Sequence, residues 1–342
     1  MKRIVIVSDA WLPQVNGVVT TLRTTREHLI KAGHEVKVVH PHSGPTIPCP
    51  TYPEIRLSLR PYKLVKNILD DFQPDHIHIA TEGPLGFAAR FYCKRHKLAF
   101  TTSYHTQFPE YIRKRAPIPL SVSYPFFRWF HSGATRTLVG TPHQRELIES
   151  RGFKNVVLWS RGVNHSLFKP GDKSLLSYPR PIWAYTGRVA VEKNIESFLN
   201  CDLPGTKLII GDGPALQQLK EEYPQAKFVG YKFGEELAAH MAASDVFVFP
   251  SLTDTFGIVM LEAMACGLPV AAFPVTGPRD VVNHQVSGYL DTDLRTAALA
   301  ALELNPEDCI REAKKFTWEA ATNQFFNHLT TAAKTDAISA VA

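Results

Sequence analysis

Cysteine is sparse in this sequence: Cys49, Cys93, Cys201, Cys266 and Cys309 are widely scattered and include no C-x-x-C pair. This excludes a disulfide framework and the usual cysteine zinc sites, and it suits thiols kept reduced in the cytosol. Long apolar runs are also missing. No stretch approaches the roughly 18 apolar residues of a membrane span, and the opening MKRIVIVSDAWLP reaches Ser8 and Asp9 too soon for a signal-peptide core. A protein that is soluble, or peripheral at most, is expected. A G-x-G-x-x-G fingerprint is absent from the first strand-to-helix loop, SDAWLPQVNGVV, whose single glycine is Gly17, so no dinucleotide cofactor is expected there.

What is present is enough for two cores. With 44% hydrophobic and 20% charged residues over 342 positions, two domains of ordinary size are expected. The net charge of +6 conceals an asymmetry: residues 1–164 hold 23 Lys and Arg against 11 Asp and Glu, whereas the remainder holds 15 against 21. A basic first half suits an anionic partner, either a membrane surface or nucleic acid, or is simply a solvated face.

Short β-branched runs alternate with helical segments. RIVIVS, EVKVVH, DHIHIA, AFTTSY and TLVGT in the first half are matched by PIWAYTG, KLIIGDG, AKFVGY, DVFVFPS and LPVAAF in the second. Such runs fit strands covered on both faces, which makes each half a doubly wound parallel α/β sheet. Val18, Val19, Leu22, Leu29 and Ile30 form one helical stripe ending at Gly33, a C-cap residue. The expected domains are 1–168 and 182–318, joined by a Pro- and Gly-rich linker at 169–181. After them the final segment, 319–342, belongs to one amphipathic helix, FTWEAATNQFFNHLTTAAK (316–334), which carries Trp318, Phe325, Phe326 and Leu329 and is followed by a frayed TDAISAVA. Two such sheets facing each other create a cleft at the carboxyl ends of their strands, so chemistry is expected in the strand-to-helix loops.

Those loops hold the candidates. Gly17 opens a helix after Asn16, where its amide either meets a phosphate or sugar hydroxyl or serves only the turn. TGRVAVEKN places Arg188 and Lys193 in a loop entering a helix; a guanidinium fork and a mobile ammonium together suit a diphosphate whose charge grows as a bond to it breaks. Gly211, Asp212 and Gly213 in LIIGDGP give a tight turn with close backbone approach. Tyr231, beside Lys232, either stacks on a base or joins the core. In SLTDTFGIVMLEAMACG, the amides of Phe256, Gly257 and Ile258 sit at a helix start, with Asp254 in the loop and Glu262 one turn inside. Amides attract phosphate and carboxylates accept from sugar hydroxyls, although Asp254 as a plain helix cap also fits. His105, in TTSYHTQFPEY, and Glu82, in HIHIATEGP, are strand-end groups expected to face the cleft, with a satisfied structural histidine the alternative for His105. The alternating His76 and His78 lack the carboxylates of a metal site, and the DTD at 291–293 reads as a turn.

One segment explains the basic half. Residues 110–131 interleave Arg113, Lys114, Arg115 and Arg128 with Tyr111, Leu120, Tyr124, Phe126, Phe127, Trp129 and Phe130. Cations among aromatics suit an anionic lipid interface, and no recognised nucleic-acid motif accompanies them, so no nucleic-acid partner is expected. A buried helix with solvated bases is the alternative.

TGRVAVEKN, GDGP and above all TDTFGIVMLEAMACGLPVAA resemble the retaining GT-B glycosyltransferases of family 4, also called group 1, and the similarity spans nearly the whole chain. SDAWLPQVNGVV, TEGPLG, SYHTQFPEY and WSRGVN look like the bacterial subgroup of α-mannosyltransferases, diacylglycerol glycosyltransferases and sulfoquinovosyltransferases. The resemblance implies two Rossmann-like domains and transfer of a hexose from a UDP- or GDP-sugar to a lipid or lipid-linked acceptor. It further implies no cofactor and no metal, and a cytoplasmic enzyme peripheral to the inner face of the cytoplasmic membrane. Arg188 and Lys193 would hold the donor diphosphate, Gly257 and Ile258 its distal phosphate, and Glu262 the ribose. His105 would contact the transferred sugar, with Gly17 beside the diphosphate and acceptor. The motif's first carboxylate is usually Glu; the shorter Asp254 changes how that sugar's hydroxyls are gripped. A GT-B epimerase, a mannosyltransferase acting on a non-lipid glycan and a non-catalytic binding protein are the competing readings.

Overall fold

The computed structural model describes residues 1–49, 52–115 and 118–333, which fall into two compact units: Met1–Ser160 with the chain from Glu319 onward, and Arg161–Trp318. The strands of the first unit are β1 (Arg3–Val7), β2 (Glu35–Val39), β3 (Thr46–Cys49), β4 (Tyr52–Ser58), β5 (His76–Ile79), β6 (Thr101–Ser103), β7 (Arg136–Val139) and β8 (Val156–Leu158). β3 and β4 make a separate antiparallel pair. The others form one parallel sheet in the order β2-β1-β5-β6-β7-β8. Its helices are α1 (Gly17–Lys31), α2 (Pro61–Phe72), α3 (Pro84–Arg95), α4 (Phe108–Arg115), α5 (Leu120–His131) and α6 (Pro142–Ser150).

Alternation along β1 explains the layering. Val5 and Val7 pack with Ile77, Ile79 and the α2–α3 residues Val65, Leu69, Leu85 and Cys93, whereas Ile4 and Ile6 pack on the other face with Leu22 and Leu29 of α1. Successive side chains leave a strand on opposite faces, so a sheet covered on both sides needs a continuous apolar run. On α1 the stripe is narrower than expected, since Ile30 is exposed. Gly33, at φ +85°, ends the helix: its amide donates to Ile30 O and that of His34 to Leu29 O, the paired bonds of a Schellman turn.

The second unit repeats the plan with β9 (Ile182–Thr186), β10 (Thr206–Ile210), β11 (Lys227–Phe228), β12 (Val246–Phe249), β13 (Val270–Ala272) and β14 (Gly288–Leu290), all parallel in the order β11-β10-β9-β12-β13-β14. Its helices are α7 (Ile195–Leu199), α8 (Leu216–Glu222), α9 (Gly234–Ala242), α10 (Ile258–Ala265), α11 (Pro278–Val281), α12 (Leu294–Leu302) and α13 (Pro306–Ala313). The stretch 161–181, divided in the sequence reading between the first domain and a linker, clusters with this unit. Val163 N donates to Phe316 O at 3.3 Å, Lys173 Nζ to Ser244 O, and Arg180 pairs with Asp245.

The last helix, α14 (Trp318–His328), stops short of the expected 334. Beyond it Thr331 bridges His76 and Ala332 N donates to Asp75 O at 2.7 Å, so the chain satisfies its backbone on β5 rather than in a further helical turn. Phe325 and Leu329 fill the α1 face of the first sheet beside Trp159. The tail TDAISAVA lies outside the described residues.

Both sheets reverse strand order at one place, between β1 and β5 and between β9 and β12. In open α/β sheets that reversal opens a crevice at the strands' carboxyl ends, where ligands bind.

Candidate active site

In the second unit the candidates gather at this reversal. Arg188 and Lys193 follow β9, and Asp254 through Ile258 follow the adjacent β12. Lys193 Nζ donates to Asp254 Oδ1 at 2.6 Å. Asn194, the left-handed residue after the 3₁₀ turn Val191–Lys193, donates from its side-chain Nδ2 to Pro250 O at 3.0 Å and ties the two loops a second time.

Glycines set the Arg188 loop. A Cβ on Gly211 would lie 1.8 Å from Gly187 O, and one on Gly213 2.3 Å from Val189 O, so only glycine lets the β10 loop lie against the chain on either side of Arg188. Asp212 shapes the same place: its carbonyl accepts from Val189 N at 2.8 Å and its carboxylate from Gly213 N at 2.6 Å. Arg188 itself is half-buried, and its carbonyl accepts from the Tyr185 hydroxyl.

Gly257 caps α10 in the left-handed region, at φ +80°, turning the chain so that the first helical amides, which lack intrahelical partners, end the loop. Phe256 is 5% exposed, packed edge-on against Phe316 with the buried Arg161 guanidinium 5.9 Å from its ring centre. Its backbone, not its ring, is available to a ligand. Desolvation lowers Arg161 to about 9. Glu262 is half-buried on α10, and its side chain forms no hydrogen bond among the described residues; desolvation pushes its carboxyl up to about 7. Tyr231 is 37% exposed and stacks on Phe233, ring centres 5.7 Å apart, so it belongs to the surface rather than the core.

The first unit carries the other candidates. Gly17 is exposed at the start of α1, and the Asn16 side chain accepts from Val19 N at 3.0 Å, a helix cap. His105 is buried in the loop after β6, its ring edge-on to Trp159 at 5.6 Å. Glu82 does not face a crevice: its carboxylate is buried and meets His131 Nε2 at 3.0 Å, while His131 Nδ1 meets Thr102. A buried carboxylate takes a buried partner in preference to an apolar surround. His78 is held by Thr101 and Ser103.

Asp9 is a residue that motif reading overlooks. It is buried at the β1–β5 reversal and accepts from the amides of Leu85 and Gly86 at the start of α3 and from the Thr81 hydroxyl. Burial raises its carboxyl even so. An acidic residue directly after a first strand was the available signal. Asp293 of the DTD stretch caps α12 through the amides of Arg295 and Thr296. Among the described residues no cluster of His, Cys, Asp or Glu is arranged to hold a metal ion.

The lipid-facing segment splits. Tyr124, Phe127 and Phe130 enter the core, whereas Phe126 and Trp129 are 48% and 51% exposed beside Phe87 and Arg90 of α3. The side chains of Tyr111, Lys114 and Arg115 lie outside those described. Among the described residues, no helix is long and apolar enough to cross a membrane.

The family described as Glycosyltransferase Family 4 matches residues 15–167, and that described as Glycosyl transferases group 1 matches 180–304. A GDP-mannose-dependent alpha-mannosyltransferase of Mycobacterium tuberculosis is 30% identical over 84% of this chain and 83% of its own. An alpha-monoglucosyldiacylglycerol synthase of Streptococcus pneumoniae is 27% identical over 89% and 79%. Sucrose-phosphate synthase from Thermosynechococcus elongatus, at 21% identity, superposes with a TM-score of 0.79 over 96% of this chain and 98% of that one, which shows the fold. The chain belongs to glycosyltransferase family 4, the group 1 glycosyltransferases, and is a hexosyltransferase built on two Rossmann-like domains.

Proposed function

We propose that this enzyme moves a hexose, with retention, from a nucleotide sugar to a membrane glycolipid acceptor such as diacylglycerol or a lipid-linked glycan. The observation that carries the proposal is the Arg188 loop, the Lys193–Asp254 pair and the α10 N-terminus meeting at the β9–β12 reversal. Cations and main-chain donors there suit a diphosphate, and the carboxylate of Glu262 suits a ribose. Departure of the nucleoside diphosphate leaves positive charge on the sugar ring while Arg188 and Lys193 hold the leaving group. Asp254 would accept from the transferred sugar. Gly211 and Asp212 support the Arg188 loop, and Tyr231 lies where a base could stack. His105 and Gly17 keep the roles that family resemblance assigns them, and front-face retention is inherited in the same way. With the leaving group so held, the reaction is proposed to need no metal.

The mycobacterial relative's name favours GDP-mannose as donor, with UDP-hexoses the alternative, and the streptococcal relative's name favours diacylglycerol-type acceptors. The exposed Phe126 and Trp129, the latter with the Arg90 guanidinium over its ring, together with the basic composition of residues 1–164, support docking on an anionic membrane from the cytoplasmic side. Labelled GDP-mannose, UDP-glucose and UDP-galactose are to be incubated with vesicles of anionic phospholipid and diacylglycerol, or with a lipid-linked hexose. An α-linked sugar lipid is expected from one donor. No sugar lipid from any of them removes the proposal.

A further inference from the structure

The first unit holds a ring cluster that the roles above do not use. Trp11, in the loop after β1, stacks on His40 with ring centres 5.9 Å apart and an interplanar angle of 22°. His40 directly follows β2, the neighbour of β1, and its ring lies 6.4 Å from that of His42. Three rings therefore collect at the carboxyl edge of two adjacent parallel strands, the edge on which open α/β sheets take ligands. Trp11 and His40 are half-buried and His42 is exposed.

The chemistry around these rings is neutral. Neither the loop from Ala10 to Gly17 nor the turn from His40 to Gly44 contains a Lys or Arg, and Asp9 is taken up by the amides of α3. Burial first, then the neighbouring His42, lowers His40 and keeps its imidazole uncharged; its Nδ1 is buried without a partner among the described residues, which leaves Nε2 as the nitrogen for a ligand hydroxyl. Exposed Leu12, Val15 and Asn16 complete the loop. An aromatic face with neutral hydrogen-bonding groups beside it, and without a cation, is matched by a ring with an apolar C–H face and a rim of hydroxyls. It is poorly matched by a phosphate.

We infer that Trp11, His40 and His42 form an acceptor subsite for a pyranose ring, with the sugar's C–H face on the indole and its hydroxyls on the imidazoles. This rests on the transfer reaction proposed above and narrows it: the acceptor is a sugar-bearing molecule rather than bare diacylglycerol.

Methyl α-D-mannoside and methyl α-D-glucoside are the probes, read by saturation-transfer NMR on the full chain without donor. One of them is expected to give a signal in the wild type that falls at least fivefold in Trp11→Ala and in His42→Ala, with part retained in Trp11→Phe. His42 is exposed, so its variant separates loss of binding from loss of folding. In transfer assays Trp11→Ala is expected to raise the glycoside KM at least tenfold, while GDP or UDP affinity, measured by calorimetry, shifts less than twofold. No signal in the wild type, or one that both alanine variants keep, overturns the inference. So does transfer to diacylglycerol that falls as far in Trp11→Ala as transfer to the glycoside. If no nucleotide sugar supports transfer, the proposed function fails and the NMR result still decides the subsite.

Discussion

Lys193 and Asp254, on the loops after β9 and β12, meet side chain to side chain at 2.6 Å. The pair joins a group proposed for the diphosphate to one proposed for the transferred sugar, so a change at either should be felt at both. Lys193→Ala is expected to lower kcat by about 10²–10³, the usual loss when a donor to developing negative charge is removed. Asp254→Glu, which keeps the charge and restores the family's longer side chain, should change the ratio of kcat/KM between donors more than nucleotide affinity. Steady-state kinetics with each nucleotide sugar and calorimetry with the free nucleotide measure the two effects. Equal loss of both quantities in Asp254→Glu would contradict the assignment.

Glu262 gives a pH dependence of definite sign. Its carboxyl is pushed from the ordinary 4.5 to about 7, so the folded protein holds a proton there that the unfolded chain releases. Its contribution to stability is fully present below about 4.5 and declines as pH rises to about 7. A ribose donating hydroxyls to the carboxylate favours the ionised form, so nucleotide binding should tighten as pH rises from 6 to 8. Glu262→Gln should flatten both slopes, as read by calorimetric Kd values from pH 6 to 8 and by thermal melts from about pH 4.5 to 7.

Gly211→Ala puts a methyl group where Gly187 O leaves only 1.8 Å. Overpacking against backbone costs about 1–3 kcal/mol, and the displaced neighbour is the loop carrying Arg188. A lowered Tm accompanied by a raised donor KM is expected. A lowered Tm with unchanged KM would separate Gly211 from the donor site.

Chelation tests the proposed independence from metal. Dialysis against EDTA should leave the transfer rate within twofold, because Arg188 and Lys193 are proposed to carry the charge that a divalent ion would otherwise neutralise. A loss restored by magnesium or manganese would reassign that task.

Phe126 and Trp129 should report on the membrane. Burying a large apolar side chain is worth about 1.5–3 kcal/mol, so Phe126→Ser with Trp129→Ser should weaken cosedimentation with anionic vesicles by roughly tenfold or more. Salt should weaken the wild type as well. Indifference to both would remove the docking surface and leave the transfer chemistry intact.

The parallel sheets were legible because IVIV, which follows Arg3 in β1, and VFVF of β12 are apolar at every position, the mark of strands covered on both sides. β8 and β14, three residues each, were not; β6, β11 and β13 are no longer, and were legible only within the longer runs AFTTSY, AKFVGY and LPVAAF. The loops of the donor site could be read from residue types that suit phosphate and sugar. The Lys193–Asp254 bond could not, because it spans 61 positions and depends on β9 lying beside β12. Glu82 misled for a related reason: a carboxylate at a strand end looks free until the fold brings His131 to it. Of the aromatics in 110–131, pattern shows that some face outward, and only the packing of α5 on α3 decides which.

The core around Ile4, Ile6 and Trp159 is closed by Phe325 and Leu329, residues that leave the ribosome only after all of Arg161–Trp318. Vectorial synthesis favours whichever unit is contiguous, and here that is the later one. During translation the amino-terminal unit therefore waits with the α1 face of its sheet only partly covered. That makes the nascent chain, rather than the finished enzyme, the form most dependent on chaperones.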